Sequence, residues 1–302
     1  MKLKLEGIWT PMVTPLKPDG EVDLPGTRAL VNKLIESGVD GLFPLGTTGE
    51  FALLTPQERN KVIRTVVDEA DGRLQVIAGI SDPSTGNIVR FAADAKDAGV
   101  DGVITTTPFY FSSSQDGIYR HFKLLADKVE LPLILYNIPE WTHTFASPDV
   151  VGRLAREGLI AGLKYTEYNL LRLLEFIAAA DGMIPVLNGS DAMTFTNLEF
   201  GGSGAIMGVS NLAPRICSRL YDEFRRGNLN RAKALQVELL PFIEAMGVGT
   251  FPAGLKEAMN ISGFKVGGTK DPVPPLSAEE KKAVRAILAK TRTLLDAPRI
   301  RG

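Results

Sequence analysis

Cysteine and histidine are scarce in this sequence, and neither sign of charge is in excess. The 302 residues include a single cysteine, Cys217, so no internal disulfide can form and a reducing compartment is indicated. The formal net charge is −1, and the dispersed charges argue against nucleic acid or a membrane surface as a partner. No apolar run approaches the roughly 20 residues of a membrane helix, and the N-terminus carries no hydrophobic signal segment. We therefore expect a cytoplasmic protein that acts on small molecules.

Metal chemistry finds little support in the two histidines, His121 and His143. His121 falls in a helical pattern and His143 in a predicted loop, and neither stands in a cluster with ligand-like spacing. A zinc-dependent aldolase or a metal hydrolase needs about three protein ligands that converge on the ion. We therefore expect chemistry that needs no metal and no separate cofactor.

Short apolar segments alternate with longer amphipathic ones along most of the chain. The apolar segments show little alternation with polar residues, which is typical of strands buried on both faces of a parallel sheet. The tetrapeptide Gly-Val-Asp-Gly occurs at 38–41 and again at 99–102, each time between a helical pattern and an apolar segment. Eight such units in one direction predict an α/β fold, a (β/α)₈ TIM barrel over residues 1–227. The predicted strands span residues 8–13, 41–45, 75–79, 102–106, 131–136, 160–165, 184–187 and 205–209.

A helical region is predicted to follow the barrel, because no further strand pattern occurs beyond residue 227. Ser277 and Glu280 have the spacing of a capping box, which marks the start of the last helix. We expect a C-terminal helical region over residues 228–302. Its predicted helices span residues 229–246, 252–262 and 278–295.

Lys164 is the first candidate for catalysis, since the active site of such a barrel gathers at the carboxyl ends of the strands. It closes the apolar run of the sixth predicted strand, and that run contains no acidic partner. Removing an ammonium group from water disfavours its charged form, and the neutral amine is a nucleophile. The alternative is an ordinary strand-end lysine whose ammonium group reaches solvent along its aliphatic stem.

Tyr136 and the segment 46–50 are candidates at the same edge of the barrel. Tyr136 ends the fifth predicted strand, so a phenol that points inward there comes within reach of Lys164 and can move protons. A tyrosine hydrogen-bonded at the barrel mouth fits equally well. Segment 46–50 is Gly-Thr-Thr-Gly-Glu, and its exposed amides and the hydroxyls of Thr47 and Thr48 suit a carboxylate. A plain glycine-rich turn is the alternative, whereas a phosphate loop would need the missing Gly-x-x-x-x-Gly-Lys pattern.

Taken together, six motifs resemble those of the dihydrodipicolinate synthase / N-acetylneuraminate lyase family of class I, Schiff-base-forming aldolases. They occur in order, each at or beside a predicted strand end, and the resemblance runs along nearly the whole chain. The motifs are Gly-Thr-Thr-Gly-Glu at 46–50, Thr-Pro-Phe-Tyr at 107–110, Tyr-Asn-Ile-Pro at 136–139, Gly-Leu-Lys at 162–164, Asn-Gly-Ser-Asp at 188–191 and Gly-Gly-Ser-Gly-Ala-Ile at 201–206.

The resemblance implies catalytic roles for four residues. Lys164 would form the imine with the 2-oxo group of pyruvate, and Tyr136 would move protons as the carbon–carbon bond forms or breaks. Thr47 and Thr48 would bind the pyruvate carboxylate, and Thr47 would also relay protons.

The resemblance also places residues around the imine and between subunits. Gly189 and Ile206 would line the pocket beside Lys164. Tyr110 would reach into the site of a neighbouring subunit and complete the proton relay. Such a relay implies a homotetramer built as a dimer of tight dimers.

The residues after the Tyr-Asn-Ile-Pro motif bear on the substrate. Trp141 stands where the lysine-pathway synthases carry an arginine that receives the carboxylate of the aldehyde, and an indole cannot supply that pair of donors. The 2-keto-3-deoxygluconate aldolases share the Thr-Thr loop and lack the arginine, so the pattern is most similar to theirs. Trp141, Thr142, His143 and Ser190 would then contact a polyhydroxylated aldehyde. We therefore expect reversible cleavage of a 2-keto-3-deoxy sugar acid, such as 2-keto-3-deoxygluconate, to pyruvate and an aldehyde.

Other functions stay open at this point. The first alternative is a 4-hydroxy-tetrahydrodipicolinate (dihydrodipicolinate) synthase, followed by an N-acetylneuraminate-type lyase and by a dehydratase or hydratase-aldolase. A ligand-binding barrel without catalysis is disfavoured by the joint presence of Lys164, Tyr136, Thr47 and Tyr110. A metal-dependent aldolase is disfavoured by the poor set of ligands.

Overall fold

Eight parallel strands close into a barrel, each strand hydrogen-bonded to the next in the chain and the eighth to the first. The computed structural model describes residues 3–291. Helices alternate with the strands, so the predicted (β/α)₈ barrel is confirmed. The strands are β1 (Gly7–Pro11), β2 (Gly41–Phe43), β3 (Gln75–Gly79), β4 (Gly102–Thr106), β5 (Leu133–Asn137), β6 (Gly162–Tyr165), β7 (Val186–Asn188) and β8 (Gly204–Ile206).

The strands and the apolar segments that predict them end at different residues. β3 and β4 have the predicted bounds, and the other six differ by up to three residues at an end. Val13, Leu45 and Val209 lie outside the strands although they are buried. Val209 belongs to a 3₁₀ helix, Gly208–Asn211, at the barrel mouth. These predicted ends are wrong because apolarity reports burial, and the chain stays buried after its ladder of hydrogen bonds has ended.

The helices of the barrel pack around the strands. Gly38 and Gly99 end the first and third helices with φ of 78° and 86°, the left-handed geometry expected of a terminating glycine. The helices are α1 (Leu24–Ser37), α2 (Pro56–Ala70), α3 (Thr85–Ala98), α4 (Gln115–Lys128), α5 (Pro139–Thr142), α6 (Pro148–Arg156), α7 (Leu170–Ala180), α8 (Thr194–Glu199) and α9 (Pro214–Arg225).

Four more helices follow the barrel: α10 (Leu229–Glu238), α11 (Leu240–Met246), α12 (Ala253–Ile261) and α13 (Ala278–Ala289). The single helix predicted over 229–246 is wrong, because Pro241 has no amide hydrogen to continue the ladder and the chain starts a new helix at Leu240. Ser277 and Glu280 form the predicted capping box of α13. Positions 292–295 of the predicted last helix, and the end of the predicted region 228–302, lie outside the described residues.

Two apolar cores hold these layers together. The larger core lies between the strands and the surrounding helices. The smaller core fills the barrel with one side chain from most strands, including Trp9, Phe43 and Ile134. Tyr136 and Ile206 belong to this inner core, so both side chains point into the barrel. Among residues 3–291, none of the helices combines the length and the apolarity that a membrane span requires.

Candidate active site

Lys164 lies inside the barrel at the carboxyl end of β6, and only 4% of it is exposed. In the ladder between β5 and β6 it pairs with Tyr136. Its Nζ lies 3.8 Å from the centre of the Tyr136 ring and 5.2 Å from that of Phe43. A buried amine between two aromatic rings has little water around it, which suits a nucleophile. The expected approach of Lys164 and Tyr136 is therefore met in the structure.

The loop after β7 gives Lys164 its space. A Cβ atom on Gly189 would lie 2.9 Å from Cε of Lys164 and would overlap the hydroxyl of Thr166. The lysine side chain therefore requires a glycine at position 189. The hydroxyls of Thr166 and Ser190 are both buried and have no hydrogen-bond partner within the described part of the chain. Two unpaired hydroxyls thus lie on the loops that follow β6 and β7, at the carboxyl end of the barrel.

Segment 46–50 forms a tight loop directly after β2. The amide of Gly49 donates to the carbonyl of Gly46, and the amide of Glu50 donates to the carbonyl of Thr47, both over 3.0 Å. A Cβ atom on Gly49 would lie 2.9 Å from the carbonyl oxygen of Met12, so glycine is needed for this close approach. Thr48 is buried and Thr47 is half-buried. The loop thus presents Thr47 at the mouth of the barrel.

A cavity of about 250 Å³ opens beside Thr47. Thr106 and Ile138 also line it, and Thr106 pairs with Tyr136 in the ladder between β4 and β5. Its outer wall is aromatic and includes Trp141, which is 51% exposed and meets Phe251 edge to face at 6.3 Å between ring centres. Within the described chain, no lysine or arginine lines this cavity. Trp141 therefore lines a cavity at the barrel mouth, and its contact with a substrate stays a prediction.

Of three other predicted site residues, two lie on the surface away from this cavity, and the third has its hydroxyl in hydrogen bonds within the protein. Tyr110 is 84% exposed on the surface, at φ +73°, and its ring meets that of Phe111. His143 ends α5 in the left-handed region and is exposed. Thr142 lines the cavity, but its hydroxyl accepts from Thr107 at 3.1 Å and lies 3.0 Å from the carbonyl oxygen of Ile138. That hydroxyl is therefore occupied in holding the loop.

Asp191 is a neighbour of Lys164 that the sequence reasoning left without a role. Its Oδ1 accepts the amide hydrogen of Val209 at 3.0 Å, and the side chain is buried. Burial raises the pKa of Asp191 to about 6, while the Val209 amide and the charge of Lys164 oppose the rise. The signal that could have found it is an acidic residue at the carboxyl end of the seventh strand.

Asp191→Asn is expected to remove one pH dependence of stability. The folded-state pKa of about 6 lies above the ordinary 3.8, so the contribution of Asp191 to the free energy of unfolding is fully present below pH 3.8 and is lost as the pH rises through 6. The loss amounts to roughly 3 kcal/mol at about 1.4 kcal/mol per pKa unit. Between about pH 4 and pH 7, the free energy of unfolding measured with denaturant should rise in the variant relative to the wild type by about this amount. Asp97→Asn on the exposed face of α3 is the control, and parallel pH curves for wild type and Asp191→Asn would contradict the prediction.

No three histidine, cysteine, aspartate or glutamate side chains between residues 3 and 291 converge in the manner of metal ligands. Cys217 is buried in α9, away from any disulfide partner in that part of the chain.

Comparison with known proteins agrees with the motifs. The model of the dihydrodipicolinate synthetase family matches residues 4–291. A 4-hydroxy-tetrahydrodipicolinate synthase of Methanococcus maripaludis is 37% identical over 278 residues, which cover 92% of this chain and 95% of that protein. YagE of E. coli K12, a prophage protein of the dihydrodipicolinic acid synthase family solved in complex with pyruvate, aligns with a TM-score of 0.92 and 33% identity, covering 96% of this chain and 99% of its own. A monomeric dihydrodipicolinate synthase variant aligns with a TM-score of 0.91 and 31% identity, covering 95% and 96% of the two chains.

These comparisons confirm the family that the six motifs predict. They leave the number of subunits open, because a monomeric variant stands among the similar structures. With the match extending over almost all of the described residues, the chain belongs to the dihydrodipicolinate synthetase family of lyases.

Proposed function

We propose that this chain is a pyruvate-dependent carbon–carbon lyase that forms its Schiff base at Lys164. The observation that carries the proposal is the buried Lys164 amine, 3.8 Å from the centre of the Tyr136 ring at the carboxyl end of the barrel. The similar structure of YagE in complex with pyruvate supports the choice of 2-oxo acid.

In the proposed reaction the Lys164 amine attacks the keto carbon of pyruvate, and water leaves to form a protonated imine. The imine accepts electrons, so loss of a proton from the adjacent methyl group gives an enamine, which adds to the carbonyl carbon of an aldehyde. Cleavage follows the same steps in reverse, and hydrolysis of the imine frees Lys164. Tyr136 moves the protons, and Thr47 with Thr48 binds the carboxylate. Gly189 and Ile206 flank the imine.

Tyr110 is proposed to complete the proton relay from a neighbouring subunit. Its ring is 84% exposed in the single chain, which leaves it free to enter the site of another copy. The homotetramer, a dimer of tight dimers, rests on this role and on the family resemblance.

The names of the relatives favour 4-hydroxy-tetrahydrodipicolinate synthesis, in which pyruvate condenses with aspartate semialdehyde. The 2-keto-3-deoxy sugar acid expected from the sequence has no such support among them. The synthase reaction is therefore the first candidate for this chain.

Cleavage of a 2-keto-3-deoxy sugar acid is retained as the second candidate because of the lining of the site. The cavity beside Thr47 has an indole, Trp141, and no lysine or arginine among its described lining residues, so an acceptor carboxylate would find no cation there. The unpartnered hydroxyls of Thr166 and Ser190 lie outside the lining of this cavity, on the loops after β6 and β7, and are the second feature that suits the hydroxyl groups of a sugar acid.

A panel of substrates separates the two candidates. The enzyme is incubated with pyruvate plus aspartate semialdehyde in one series, and with 2-keto-3-deoxygluconate in another, while pyruvate is followed with a coupled dehydrogenase. Pyruvate consumption only in the first series supports the synthase, and pyruvate release only in the second supports the aldolase. Borohydride treatment with pyruvate should add mass at Lys164 in either case. The absence of both turnover and adduct would contradict the proposed function.

A further inference from the structure

A buried ion pair lies behind the loop that carries Thr47. Glu50 is the last residue of segment 46–50, Lys256 belongs to α12, and their side chains form an ion pair with exposures of 2% and 1%. Lys256 also donates to the carbonyl of Gly268 at 2.8 Å, and the other oxygen of Glu50 accepts the amide hydrogen of Lys270 at 2.6 Å. The C-terminal helical region therefore holds the Glu50 carboxylate at two points, by an ion pair at one oxygen and a hydrogen bond at the other.

Glu50 is connected to Thr47 through the backbone. The amide of Glu50 donates to the carbonyl of Thr47, and Glu50 itself is held in the left-handed region at φ +56°. On the other side, the hydroxyl of Thr14 donates to the carbonyl of Gly49 at 2.7 Å. Gly49 and Glu50 are thus both held by hydrogen bonds, and the bond from the Glu50 amide connects the anchored residue directly to Thr47.

Stability alone is a poor explanation for charges at this depth. Removing two charges from water costs several kcal/mol per ion, and a well-packed apolar pair is often as stable as a buried ion pair. Burial lowers the pKa of Lys256, and the charge of Glu50 opposes that shift. What the ion pair supplies, and an apolar pair would not, is a directed contact that fixes one carboxylate between two donors.

We propose that Glu50 and Lys256 are positioning residues, through which the C-terminal helical region holds Thr47 and Thr48 at the Lys164 site. This inference rests on the proposed function, because it concerns the placement of the groups that bind pyruvate. It makes the helices after the barrel part of the catalytic unit, since a displacement of about 1 Å in a binding group can cost on the order of 100-fold in rate.

The test compares an ion-pair variant with a matched control. The double variant E50Q/K256M removes both charges together and leaves no unpaired ion in the interior. Glu58→Gln is the control, because Glu58 pairs with Lys270 of the same C-terminal segment at 2.6 Å without touching segment 46–50. Glutamine at position 58 also preserves the capping box with Thr55. Wild type and variants are compared by melting temperature, by kcat and KM for pyruvate well below that temperature, and by borohydride trapping at saturating pyruvate.

The double variant is expected to lose about 10-fold to 100-fold in kcat/KM, with a raised KM for pyruvate, while still trapping pyruvate at Lys164. The control should keep wild-type kcat and KM. Glu50→Asp serves as a second variant should the double variant not fold, because it keeps both charges and moves the carboxylate by one methylene. A loss of the same direction is expected there.

The outcomes separate this inference from the proposed function. A lowered melting temperature with unchanged kcat and KM in folded E50Q/K256M or Glu50→Asp would show a purely structural pair and overturn the inference alone. A wild type that neither traps pyruvate at Lys164 nor turns over would overturn the proposed function and this inference with it.

Discussion

Lys164→Met is expected to abolish turnover while the barrel stays folded. Without the amine no imine forms, and the enamine that drives carbon–carbon chemistry has no electron sink. We expect kcat to fall by at least about 10⁴-fold, equivalent to about 5.5 kcal/mol at 1.36 kcal/mol per tenfold. The flexible methionine side chain follows the lysine stem as far as its ε carbon and omits only the amine nitrogen beside the rings of Tyr136 and Phe43, so the melting temperature should change little.

The measurement is the steady-state rate with the preferred aldehyde, together with mass spectrometry after borohydride reduction in pyruvate. The wild type should carry one adduct, located at position 164, and the variant none. Lys128→Met at the exposed end of α4 is the matched control and should keep both rate and adduct. Turnover or trapping by Lys164→Met at the wild-type level would refute the Schiff-base mechanism at this residue.

Tyr136→Phe is expected to have the second-largest effect. The ring lies in the inner core and over the Lys164 amine, and phenylalanine preserves both contacts. Only the hydroxyl is lost, and with it the proton transfer proposed for each step. General acid–base catalysis contributes about 10²-fold to 10⁴-fold, so kcat should fall by that order. The adduct at Lys164 should still form, more slowly than in the wild type.

Tyr119→Phe is the control for this substitution. The Tyr119 hydroxyl donates to Glu157 at 2.6 Å on the helical layer, so its removal should lower stability modestly and leave kcat unchanged. Comparison of the two variants by kcat and by the free energy of unfolding separates a catalytic hydroxyl from a structural one. Equal kcat values for Tyr136→Phe and the wild type would remove Tyr136 from the mechanism.

The gathering of strand ends at one face of a barrel explains why the proximity of Lys164 and Tyr136 could be predicted. A closed parallel barrel brings the carboxyl ends of all its strands to one face. Polar residues at the ends of successive strands therefore come together there, whatever the sequences of the connecting segments. Lys164 and Tyr136 each lie one residue before the end of neighbouring strands, and the ladder places them in register. Asp191 also follows a strand at this face, but no role could be assigned to it from the sequence. A carboxylate after a strand does not reveal whether it is buried or which amide donates to it.

Other features depend on residues that are distant in the sequence. The aromatic wall of the cavity pairs Trp141 with Phe251 from the C-terminal region. The ion pair of Glu50 with Lys256 joins the second βα unit to α12. Neither contact could be predicted from local sequence, because each partner resembles an ordinary loop or helix residue in its own segment.

By itself, the sequence determined the number and order of the strands and hence the barrel, because burial periodicity is a local property of the chain. Its six motifs carried the resemblance to the family that the comparisons then showed. Only the tertiary structure decided where the strands end and which buried hydroxyls have no partner. It also decided that the Thr142 hydroxyl bonds within its own loop and that Lys256 of α12 pairs with Glu50. These features arise from contacts between segments far apart in the chain, whose geometry follows from packing the whole barrel.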